Sequence, residues 1–231
     1  MLRCPTFSKT DYSMTGPDNR CRLVLIAPDL PDAPAEYARI IADALRGGDA
    51  ASVILPQYGL NDHDFQARAE AVVPDVQKAG AAALVVDNSR VAGRAKADGL
   101  HITGKADVLA EAVEKFTPKL IVGASGAMDR HQALELGEAG PDYMFFGKLD
   151  GDIKPEAHSK NLALGEWWSA MIEIPCIVMG GTDPQSALAI AETGAEFAAL
   201  GKAVFADPAR AAAVLAEVNA LLDEKAPRFE D

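Results

Sequence analysis

Two glycine-bearing breaks near the carboxyl end of the chain are where the residue types point to chemistry. Gly180 and Gly181 in "VMGGTDP" follow a short apolar run, and Gly201 and Lys202 in "LGKAVF" follow another. Glycine lets backbone N–H groups come close to a ligand, so this pair of breaks, with the start of a short helix behind the second, reads as a cup for a phosphate. Two ordinary turns would give the same letters. Further upstream, Asp87 in "VVDNSR" and Asp107 in "HITGKAD" end or follow two other apolar runs. Two carboxylates on adjacent strand ends can hold magnesium, which takes oxygen ligands and pairs with substrate phosphates. They can equally make a turn and cap a helix.

Ser125 in "GASG" offers a hydroxyl and neighbouring backbone donors. The stretch "KLDGDIKPEAHSKNLALGE" reads as a long polar loop, the kind that commonly acts as a lid. It carries Lys148, Lys154, His158 and Lys160, a local group of cations able to close over an anion. His101 falls inside an apolar run and reads as a hydrogen-bonded core residue. His63 and His131 fall on helix surfaces, at least one of Trp167 and Trp168 should pack on the core, and no Ser/His/Asp or Cys/His grouping suggests a covalent nucleophile.

The elements that must position these residues repeat one phrase from Arg22 onward: an apolar run, a break, then an Ala-rich segment of helical period. The runs are 23–27, 51–55, 82–86, 99–102, 120–124, 143–147, 176–179 and 197–201. Helices are predicted over 34–46, 62–79, 89–96, 106–116, 128–139, 163–172, 184–193 and 207–224. Eight buried strands alternating with eight helices predict an α/β fold, a single (β/α)8 barrel over 21–231 with residues 1–20 as a loose tail, and a doubly wound open sheet is the competitor. In such a barrel, chemistry sits on the loops after the strands' carboxyl ends, where all the candidates above fall.

At 231 residues and 49% apolar composition the chain can bury a large core. Its formal charge of -12, from 22 Lys+Arg against 34 Asp+Glu, argues against nucleic acid or an anionic membrane as partner. Cys4, Cys21 and Cys176 are odd in number and widely spaced, as expected of reduced thiols in a cytoplasmic protein. No signal-like or membrane-spanning run is evident, and an exposed apolar helix face would allow a homodimer.

Taken in order, "VVDNSRVAGRAKADGLHITG", "LIVGASGAMDRHQALELGEAGPDYMFFGKL" and "IPCIVMGGTDPQSALAIAETGAEFAALGKAVF" resemble thiamine phosphate synthase and its TenI-like relatives over about residues 22 to 215. The resemblance implies a barrel that joins an aminopyrimidine methyl pyrophosphate to a thiazole phosphate and releases pyrophosphate. By that resemblance Gly180, Gly181, Gly201 and Lys202 hold the thiazole phosphate, while Asp87 and Asp107 hold Mg2+ against the pyrophosphate. Ser125 contacts the pyrophosphate, and Lys160, in an "HSK" similar to the family's Thr-Lys ending of the lid, helps it leave. Two places depart from the family. Its Gln-x-Arg-x-Lys pattern after strand two is met here by Val53, Leu55 and Gln57, and a histidine of its "GxSxH" turn by Ala127. A TenI-like barrel that binds without synthase turnover is the first alternative, and another sugar-phosphate isomerase or epimerase barrel the second.

Overall fold

The computed structural model describes residues 19–229. Eight parallel strands close into a barrel in sequence order, β1 pairing with both β2 and β8. They are β1 (Arg22–Ile26), β2 (Ser52–Leu55), β3 (Ala82–Val86), β4 (Gly99–Thr103), β5 (Ile121–Ser125), β6 (Tyr143–Phe146), β7 (Cys176–Met179) and β8 (Phe197–Leu200). The helices between them are α1 (Pro34–Leu45), α2 (Asp62–Lys78), α3 (Ser89–Ala95), α4 (Ala106–Phe116), α5 (Arg130–Gly137), α6 (Ser159–Met171) and α7 (Ser186–Ala191). After β8 come the short α8 (Lys202–Phe205) and the long α9 (Ala211–Lys225).

Strand alternation sorts the apolar residues into two layers. Val24, Ile26, Ile54, Leu84, Phe145 and Ile177 meet inside the barrel, whereas Leu23, Leu25, Val53, Leu55, Val85 and Val178 pack outward against the helices. Each such fully buried side chain contributes about 1.5–3 kcal/mol of transfer free energy. Trp168 of α6 is buried in the outer layer and its indole N–H donates to Ile174 O at 2.6 Å, so this is the tryptophan that packs on the core.

Besides shifts of one or two residues at several element ends, three differences from the sequence expectation have a visible cause. Helix α6 begins at Ser159 rather than at 163, because the His158 ring accepts the Lys160 N–H and caps it. The predicted 207–224 helix is broken at its start: Asp207 caps a 3-10 turn over Pro208–Arg210, and α9 follows. The predicted tail lies mostly outside the described residues, but Arg20 at its end belongs to the barrel. It is buried, donates to Asp223 Oδ1 at 2.7 Å and to Asn219 Oδ1 at 3.0 Å, and pairs with Arg228 in an isolated bridge. No described helix is long and apolar enough to cross a membrane.

Candidate active site

The floor of the barrel mouth is a buried polar row. Register places His101 of β4, Gly123 of β5 and Tyr143 of β6 side by side. The His101 ring hydrogen-bonds the Tyr143 hydroxyl at 2.8 Å through Nδ1 and the Ser125 hydroxyl at 2.9 Å through Nε2. Gly123 makes this possible, since a Cβ there would lie 1.8 Å from the Tyr143 ring. Burial pushes the imidazole down to about 3 from its ordinary 6.5, so it is neutral, and burial likewise raises the Tyr143 phenol. His101 is thus the hydrogen-bonded core residue expected, and it orients Ser125, which sits at the upper end of β5.

On the β3–β4 side, Asp87 occupies the left-handed region at φ 53°, which few residues other than glycine adopt. Its carboxylate accepts the Thr103 N–H at 2.7 Å and also the Thr103 hydroxyl, tying the end of β3 to the end of β4. Asp107 is exposed in the first turn of α4, accepts the Val108 N–H at 2.9 Å, and lines a cavity of about 550 Å³ with Gly104, Lys105, Gly126 and Gln132. Asp87 is not in that cavity. No group of three or more His, Cys, Asp or Glu positioned to hold a metal occurs among the described residues. Magnesium commonly takes only one or two protein carboxylates and completes its shell with substrate phosphates and water, so these two oxygen donors fit that ion in kind.

The β2 side needs a correction of register. Val53 and Leu55 face the helices, not the mouth. Alternation gives the inward position to Ile54, and beyond the strand Tyr58 reaches the mouth; neither is charged. Tyr58 donates to Ala27 O at 2.8 Å and lines a second cavity, of about 380 Å³, with Asp29, Asp150, Asp152, Lys202 and Phe205. Gln57 instead knits the loop, donating to Leu60 O at 2.9 Å and to Asp62 Oδ1 at 3.1 Å, while Asn88 donates to the same Asp62 oxygen at 3.1 Å. Arg22 does not supply a cation here: its guanidinium grips Asp49 at 2.6 and 2.9 Å below the barrel. Arg90 is exposed on α3, and Lys105 stands beside Asp107.

The β7–β8 side brings Gly180, Gly181, Gly201 and Lys202 together as expected, but the N–H donors of Gly180, Gly181 and Lys202 are engaged. Gly180 N–H donates to Ala199 O at 2.9 Å, and Gly181 N–H to Ser186 Oγ at 3.0 Å. Lys202 N–H donates to the carboxylate of Asp152, whose other oxygen lies 3.3 Å from Lys202 Nζ. Thr182 N–H and Asp183 N–H donate to Lys154 O and Pro155 O at 2.8 and 3.1 Å. Asp152, Lys154 and Pro155 all come from the loop after β6. The backbone of Lys154 thus lies over the glycine turn, whereas Lys160 stands in the first turn of α6. Asp152 had no signature in the sequence: it is one of two aspartates in "LDGDIK", and only the path of the loop makes it special.

Comparison with known proteins places the chain in a family. A family model described as thiamine monophosphate synthase matches residues 23–204. A thiamine-phosphate synthase of Rhodospirillum centenum is 33% identical over 204 residues, covering 87% of this chain and 98% of the relative. One from Erythrobacter litoralis is 35% identical over 157 residues, 67% of this chain and 74% of the relative. Among solved structures, a thiamine phosphate pyrophosphorylase from Pyrococcus furiosus superposes with a TM-score of 0.73 at 22% identity, over 89% of this chain and 97% of that one, which speaks for the fold. The chain belongs to the thiamine monophosphate synthase family.

Proposed function

We propose that this chain is a thiamine phosphate synthase-type barrel, joining an aminopyrimidine methyl pyrophosphate to a thiazole phosphate with release of pyrophosphate. The observation that carries the reading is the paired glycine cup at the ends of β7 and β8 in a chain of this family. Backbone donors of Gly181, Gly201 and Lys202 would hold the thiazole phosphate, with Gly180 setting the turn. Asp87, held by Thr103, and Asp107 would hold Mg2+. Bound there, magnesium would disperse the charge that develops on departing pyrophosphate. Ser125, held by a neutral His101, can donate its hydroxyl proton to a pyrophosphate oxygen. Lys154, and after it Lys160, would pair with the leaving group. The thiazole nitrogen then attacks the pyrimidine methyl carbon, so no protein nucleophile is needed. A cytoplasmic location and a homodimer go with this reading. The buried free thiols of Cys21 and Cys176 support the first, the exposed Leu134 and Met171 the second.

The uncharged Ile54 and Tyr58 favour a second reading, a barrel that binds a phosphorylated thiazole or thiamine phosphate without synthase turnover. A turnover assay with both phosphorylated substrates and magnesium, run beside calorimetric binding of each, separates the two. Synthase activity predicts thiamine phosphate formation that Asp87→Ala lowers by about a hundredfold or more, the loss of several kcal/mol of charge stabilisation. Tight thiazole phosphate binding with no product would instead leave the second reading standing.

A further inference from the structure

The loop after β6, residues 147–158, is fastened over the glycine cup at two separate places. At one, Asp152 is almost wholly buried, 2% exposed, with its carboxylate on the Lys202 N–H and beside Lys202 Nζ. At the other, the carbonyls of Lys154 and Pro155 take the N–H groups of Thr182 and Asp183. Between the two fastenings Ile153 stands 79% exposed, a large apolar side chain held in water by the closed loop. The glycines explain how the loop fits. A Cβ on Gly201 would lie 2.9 Å from Asp152 Oδ2, and one on Gly181 would lie 2.0 Å from Pro155 O. The openings that would admit a phosphate admit this loop instead.

We propose that Asp152 is an internal anion that gates the cup, so that a phosphate enters only when the carboxylate and the two loop carbonyls release their donors. This rests on the reading of the cup as a phosphate site. A phosphate oxygen on the Lys202 N–H would occupy the place of the Asp152 carboxylate, so the two anions compete for that backbone donor. Asp29 and Asp150, which line the adjoining cavity, add to the repulsion while the loop is closed. The affinity measured for phosphate is then the intrinsic affinity reduced by the fraction of molecules that are open.

Asp152→Asn keeps an acceptor for the Lys202 N–H and removes the charge. Calorimetric titration of inorganic phosphate and of pyrophosphate into the full chain and into D152N should show binding about tenfold tighter or more for at least phosphate in D152N. Equal affinities overturn the gate and leave the phosphate cup standing. No binding of either anion to either protein overturns both. The unaltered chain gives an independent decision should D152N fold poorly. Under saturating phosphate or pyrophosphate, amide hydrogen exchange at Thr182 and Asp183 should quicken, because their acceptors leave. Exchange that stays the same or slows under saturation overturns the gate.

Discussion

The two sides of the barrel mouth solve opposite problems with the same scaffold. On the β7–β8 side the backbone presents an anion-binding turn, and a buried carboxylate from the chain itself fills it. On the β2 side the strand itself supplies no inward cation: Tyr58 shares its cavity with Lys202, which comes from the end of β8, and the polar groups of Gln57, Asp62 and Asn88 satisfy one another. A backbone cup is a property of turns and glycines, so it survives changes in side chains. An anion site made of Arg and Lys side chains does not. Between the two sides lies the neutral row of Tyr143, His101 and Ser125, which ties β4, β5 and β6 together.

The largest effect is expected where that shared floor is broken. Gly123→Ala puts a methyl group 1.8 Å from the Tyr143 ring, a clash no rotamer relieves without moving β5 or β6. Overpacking of this kind costs about 3 kcal/mol, or roughly 10 °C in Tm for a chain of this size. Thermal unfolding followed by circular dichroism reads it directly. A drop under about 2 °C would mean that the ring can swing aside, and that the floor holds the two sides less tightly than the register suggests.

The next substitution makes the two sides alike. Tyr58→Lys places a cation in the cavity that Asp29, Asp150 and Asp152 line. A charge-assisted hydrogen bond to an anion is worth about 1.5–3 kcal/mol, so pyrophosphate affinity should rise about tenfold or more by calorimetry. No gain would show that Asp29, Asp150 and Asp152, rather than the lack of a cation from β2, keep anions out of this cavity.

How far the sequence disclosed this mouth follows from range. The strands were legible because each is buried on both faces and reads as an unbroken apolar run. Gly180 and Gly181 were legible as a place of close approach, since a glycine pair after a buried strand has few other uses. What approaches them was not: Pro155 and Asp152 reach the cup only through the path of the β6–α6 loop, which no local pattern encodes. The β2 register was misread by one residue because "SVIL" is apolar at every position, leaving no alternation to say which side chains point inward. Asp87 was found by its place at a strand end, but its bonds to Thr103 depend on the pairing of β3 with β4.

A smaller effect belongs to the floor's protonation. His101 is held neutral with a pKa near 3 in the folded chain, against 6.5 when unfolded. Its contribution is therefore complete above about pH 6.5 and declines between pH 6.5 and 3, because the unfolded chain takes a proton that the fold refuses. The slope is about 1.4 kcal/mol per pH unit. Urea melts of His101→Asn should lose that part of the acid sensitivity, while unaltered protein shows it. If the two proteins lose stability in parallel from pH 6.5 to 5, the acid response arises from other groups.

The smallest effect tests whether the β2 side is only structural. Asn88 accepts the Val91 N–H at 3.0 Å, capping α3, and its amide donates to Asp62. Loss of such a cap costs about 1 kcal/mol, so Asn88→Ala should lower the urea midpoint slightly. Phosphate affinity at the β7–β8 cup should stay within about twofold, since sites that share no partner act independently. Pyrophosphate affinity is the sharper readout. If the β2 side contributes structure alone, it is unchanged too, whereas a fall of tenfold or more would mean that Asn88 and its neighbours bind the second anion with neutral donors, and that the two sides differ in means rather than in purpose.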